Sequence, residues 1–146
     1  MGTWAAGPFD NDAAADWCAG LDEASPEQRP LLLEQALGEA VREAEFLDSW
    51  PGAKAVAAAA VVAAHLPGGP PVDSAYAPDF LTAGGRVTIS AELPALALRA
   101  LDRVLAEGSE LAELWEEGGE LDEFTASLAP IRAALADPAG VGVVGR

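Results

Sequence analysis

"AKAVAAAAVVAAHL", residues 53–66, carries one charge at Lys54 and then no polar side chain until His65. Alanine is the best helix former, so the segment reads as an α-helix. A surface helix would repeat polar residues every three or four positions, and none recur between Ala55 and Ala64. A helix apolar all round belongs at the centre of a bundle. The run falls far short of the roughly 20 residues that a membrane span needs. Pro67-Gly68-Gly69-Pro70-Pro71 stops it.

The flanking sequence supplies helices to surround this one. On the N-terminal side, Ala14, Trp17, Cys18 and Leu21 fall at i, i+3, i+4 and i+7, one apolar stripe. Asp10, Asn11 or Asp12 can cap its start, and Phe9 is placed as a hydrophobic staple. Ser25-Pro26-Glu27-Gln28 predicts a second helix, with Ser25 as cap and Pro26 first. Leu33, Leu37, Ala40, Val41, Ala44 and Leu47 share its apolar face, and Trp50-Pro51-Gly52 is expected to end it.

Residues 67–89 show no helical period and predict one long loop, with a short extended piece at Arg86-Val87-Thr88-Ile89. A helix from about Leu93 follows, burying Leu96, Ala100, Leu101, Val104 and Leu105. Gly108-Ser109 separates it from a short helix with Leu111, Leu114 and Trp115. Gly118-Gly119 leads to a last helix with Leu121, Phe124, Leu128, Ile131 and Leu135, which Pro130 should break. The expectation is all-α: a single domain over 1–146, a bundle of five or six helices, and a frayed tail at 137–146.

The 146 residues suffice for one core, built mainly of alanine and leucine because aromatics are only 6%. The lone Cys18 cannot form an internal disulfide, and no basic-then-apolar leader opens the sequence. Both point to a cytoplasmic protein. Net charge is −16, and it is unevenly spread. Eleven acids between Asp10 and Asp48 face only Arg29 and Arg42, and the eight acids from Glu107 to Glu123 face no base. That surface repels nucleic-acid phosphates and anionic membranes, and attracts basic proteins, cations or amines. A solvated face that keeps the protein soluble is the simpler account.

The opening "MGTWAAGPFDNDAAADW", residues 1–17, resembles the signature of an uncharacterised bacterial family, common in actinobacteria, whose members start close to MGxWGxGPFDNDxAxDW. The Ala-rich helix at 56–64, "ALRALDRVL" at 97–105 and "SELAELWEE" at 109–117 are similar too. Ala5 stands where that family usually has glycine. The resemblance implies a small helical fold and an intracellular protein, and no chemistry.

Motifs of known chemistry are few. Gly140-Val141-Gly142-Val143-Val144-Gly145 spells a dinucleotide fingerprint, but no helix-forming sequence follows it, so nothing would hold a pyrophosphate. One His and one Cys make no zinc site, and there is no DxDxDG calcium loop, GxSxG elbow or Walker loop. No metal and no cofactor are expected. His65 is the only histidine, and it adjoins the long loop that carries Tyr76 and Asp79. An imidazole can shuttle a proton, a phenol can donate to a developing oxyanion, and a carboxylate can orient the ring. The plain alternative is a histidine satisfied by a carbonyl at a helix C-terminus. Trp4, Phe9, Trp17 and Trp50 are the candidate substrate-lining aromatics, with Trp17 also fitting a core stripe. Asp10, Asp12 and Asp16 form a fallback site, although helix capping explains such residues well.

These residues lead to three expectations. The first is a cofactor-independent enzyme performing proton transfer on a small organic substrate: dehydration, isomerisation or conjugate-addition cyclisation, of a kind used in secondary metabolism. The second is an acidic interaction module, toxin-neutralising or regulatory, that docks on a basic protein. The third is a pocket that binds a ligand without chemistry. A partner protein should display an acidic patch with apolar anchors, and an enzyme a closed aromatic-lined pocket around His65.

Overall fold

Helix Ser49–Ala64 is buried without a break from Ala55 to Ala63, and the rest of the chain is arranged around it. The computed structural model describes Phe9, residues 11–70 and residues 77–138. Over those residues it contains seven helices: α1 (Asp12–Glu23), α2 (Arg29–Arg42), α3 (Ser49–Ala64), α4 (Asp79–Thr82), α5 (Leu93–Leu105), α6 (Glu110–Glu117) and α7 (Leu121–Ala136). The fold is all-α, with one more helix than expected. The extra one is α4, a single turn inside the segment read as loop. No helix among the described residues is long and apolar enough to cross a membrane.

Helix α3 packs against α1, α2, α5, α6 and α7. Its alanines leave room for the neighbours' larger side chains, and Leu33 and Leu37 of α2, Leu101 and Val104 of α5 and Leu128 of α7 are fully buried. Helix α2 also packs on α5, and both α5 and α6 on α7.

Four local expectations need correction. Helix α2 begins at Arg29 rather than beside Ser25, because residues 26–28 form a separate turn in which the Ser25 carbonyl accepts from the N–H groups of Gln28 and Arg29. Pro30 takes the first-turn place. Trp50-Pro51-Gly52 opens α3 instead of ending α2, in keeping with proline's tolerance of a helix's first turn. Leu47 is buried but lies in the connection after α2, where it pairs as an isolated bridge with Ser109. Helix α7 runs through Pro130 unbroken. Pro130 and Ala126 are both exposed, so the carbonyl that loses its N–H partner is on the solvent side.

The α2–α3 connection is knotted to the α5–α6 connection. The Leu47 N–H donates to the Gly108 carbonyl at 2.7 Å, and the Glu110 N–H to the Leu47 carbonyl at 2.8 Å. Arg103 gathers the same region, donating to the carbonyls of Glu43 at 2.7 Å and Gly108 at 3.2 Å. The Ser49 N–H donates to Glu110 Oε1 at 2.8 Å, placing a negative charge at the start of α3, where the helix dipole favours it.

Candidate functional site

His65 follows the last residue of α3, which puts its ring at the helix C-terminus beside free carbonyls. Nδ1 lies 2.8 Å from the Val61 carbonyl oxygen, and Nε2 lies 3.0 Å from the Val87 backbone nitrogen. A carbonyl only accepts and an amide N–H only donates, so Nδ1 carries the proton and Nε2 is the acceptor. The ring is therefore neutral in this arrangement. Burial pushes the imidazole pKa down; the Val61 hydrogen bond pulls it up, and the Arg86 charge pushes it down further. Arg86 also reaches the His65 carbonyl, at 3.5 Å.

Backbone groups, not Asp79, orient this imidazole. Asp79 is exposed at the start of α4, where its N–H donates to Asp22 Oδ2 at 2.8 Å. The Phe80 N–H donates to the other Asp22 oxygen at 3.0 Å. Asp22 is thus the cap of α4, reaching across from α1. Arg29 completes the clasp: it donates to the Leu21 and Asp22 carbonyls and stacks its guanidinium 3.9 Å from the centre of the Phe80 ring. Nothing local in the sequence announces a partnership spanning 57 residues.

Tyr76, Trp4 and Asp10 lie outside the described residues. Phe9 is buried in the core, and Trp17 is half-buried against it. Trp50 is exposed at 49% in the first turn of α3. The cap of α1 is Asn11, whose side chain accepts from the Ala14 N–H at 2.7 Å; Asp12 and Asp16 are exposed on α1. Among the described residues, no three His, Cys, Asp or Glu side chains come together as a metal site. Cys18 is buried, and its thiol is pushed up to about 12 by burial and then by the Asp22 charge.

A concavity among the described residues lies elsewhere. A groove of about 370 Å³ runs between the end of α5, the start of α6 and the start of α7. Its floor includes Leu105, Ala112 and Leu121, and Glu107, Glu113 and Glu116 line it. The knot through Leu47 and Ser49 brings the α2–α3 connection against Gly108–Glu110 at one end of this region. That connection carries Phe46, exposed at 44%, and the exposed Trp50 follows it in the first turn of α3. The acidic run had been legible in sequence; the groove had not, because its floor comes from three helices.

A family model described as Domain of unknown function (DUF4259) matches residues 2–127. The chain belongs to this family. No curated protein and no solved structure matches it. The DUF4259 match spans the whole groove, the His65 region and the Asp22 clasp, and its description assigns no activity to any of them.

Proposed function

We propose that this DUF4259 protein is an acidic interaction module whose α5–α6–α7 groove receives a basic segment of a partner protein. One observation carries the reading: three glutamates line a groove that also presents Leu105, Ala112 and Leu121, and the exposed Phe46 and Trp50 lie on either side of the knotted Leu47–Ser49 stretch beside it. Interfaces concentrate their energy in apolar and aromatic anchors, while rim charges set orientation and association rate. Glu107, Glu113 and Glu116 would meet lysine or arginine side chains, and Leu105 and Leu121 an apolar residue between them. A cytoplasmic setting suits the reading, since Cys18 is an inert, buried thiol. Proton transfer at His65 has no comparable support, because both ring nitrogens are engaged by the backbone.

A lysine- and arginine-rich peptide with a central leucine is the probe, with binding followed by calorimetry. Affinity should fall as salt screens the exposed charges. The double reversal Glu113→Lys with Glu116→Lys removes two contacts of about 0.2–1 kcal/mol each and replaces them with repulsion, so the dissociation constant should rise about tenfold. The matched reversal Glu27→Lys with Glu34→Lys changes net charge equally but leaves the groove intact, and should have a much smaller effect. Equal weakening by both pairs would mean that net charge alone attracts the peptide, and would sink the groove reading.

A further inference from the structure

Residues 77–90, between α3 and α5, form a strap held at two points by different chemistry. At its start, the Asp79 and Phe80 N–H groups are fixed by the Asp22 carboxylate, and Phe80 lies against Arg29. Towards its end, the Val87 N–H is fixed by His65 Nε2, and Val87 is buried. The strap's turn is internally closed as well, with the Gly85 N–H donating to the Phe80 carbonyl at 2.7 Å. The first hold accepts through a carboxylate. The second accepts through a nitrogen that becomes a donor when protonated.

We infer that His65 is a pH-operated latch: protonation of Nε2 ejects the Val87 N–H and frees residues 85–90 from α3, while Asp22 keeps the α4 end in place. Two donors cannot share one hydrogen bond, so the charged ring and the closed strap exclude each other. The Val61 carbonyl does not take up the new Nε2 proton, because it faces Nδ1 on the other side of the ring. The charge that bears on the ring is Arg86, on the strap itself. Its repulsion of an imidazolium adds to the push outward. The strap's other charge, Asp79, lies at the Asp22 end, and α3's own charge, Lys54, stands eleven residues before the ring. Opening uncovers Val87 and the C-terminal end of α3, so acidification would display an apolar site that is hidden near neutrality.

The test follows two signals in the isotope-labelled whole protein as pH is lowered: the imidazole ¹³C and ¹⁵N shifts of His65, and hydrogen exchange of the Val87 and Phe80 amides, corrected for intrinsic rate. One proton taken up on opening predicts that Val87 protection falls about tenfold per pH unit, from about 6.5 down to the midpoint of the folded imidazole. Phe80 protection should hold over the same range. In His65→Gln, whose side-chain oxygen accepts at the Nε2 position without titrating, Val87 protection should not vary with pH. The wild-type protein alone is decisive if that variant does not fold. An imidazole that titrates while Val87 stays protected overturns the latch. So does one that stays neutral until the protein unfolds, or a loss of Val87 and Phe80 protection together.

Discussion

A neutral histidine bridging two backbone groups makes stability depend on pH in a definite direction. The folded pKa of His65 is lowered, so the unfolded chain binds the proton more readily below its ordinary value near 6.5. The stability that His65 contributes is therefore fully present above about pH 6.5. It is lost as pH falls through the lowered folded value. His65→Ala should remove this dependence and cost about 1–2 kcal/mol near pH 7.5, since two hydrogen bonds of about 0.5–1.5 kcal/mol go and their backbone partners turn partly to water. Urea unfolding of both proteins at pH 7.5 and 5.5 measures it: the gap between them should narrow at the lower pH. A gap that widens on acidification would mean the ring is charged in the folded state. At this scale the sequence was informative about which residue mattered and silent about how. That His65 ends a buried helix could be read directly, but its second partner, Val87, lies 22 residues on and is placed by the path of the strap.

The helices divide by how their positions are determined. Helix α3 was legible because its own composition decides both its conformation and its place: alanine favours the helix, and the absence of polar residues leaves only the centre. Where partners decide, local signals misled. Ser25-Pro26 has strong start chemistry, yet α2 begins later, and α4 exists because an aspartate on α1 caps it. The groove was illegible for the same reason, as were the ties that seat α3. Gly108 shows how tight one such tie is. Its φ of 76° is left-handed, and a Cβ added there would stand 2.7 Å from the Glu45 carbonyl oxygen. Gly84 is also left-handed, at φ 97°, but faces open space. Gly84→Ala should cost about 1 kcal/mol from backbone strain alone, and Gly108→Ala clearly more, toward about 3 kcal/mol, because the connection must also move. Thermal or urea unfolding of the two variants compares them. Equal losses would show that the knot is loose.

Across the whole molecule, charge opposes the fold. Even if each of the eight lysines and arginines paired with one acid, sixteen of the twenty-four acids would keep no counter-charge. Two of the bases, Arg29 and Arg103, direct their guanidinium groups to backbone carbonyls. Self-repulsion on this scale weakens the compact state and is relieved by screening. Raising sodium chloride from about 0.01 M, where charges are felt over about 30 Å, to about 1 M, where they are felt over about 3 Å, should therefore raise the urea midpoint. A midpoint that falls with salt would mean that attractive pairs outweigh the excess of acid.

A helix without a wet face also sets terms for synthesis. Five helices cover α3, and three of them, α5, α6 and α7, come after it in the chain. From Ala64 to Ala136 the ribosome must add 72 residues before the last of that cover exists. At about 5–20 residues per second, this takes roughly 4–14 s. Until α5 is made, the nascent chain carries an oily rod with only α1 and α2 to lie against it, and the cover stays incomplete until α7 follows. The time that α3 spends uncovered is thus written into the order in which its helices are made.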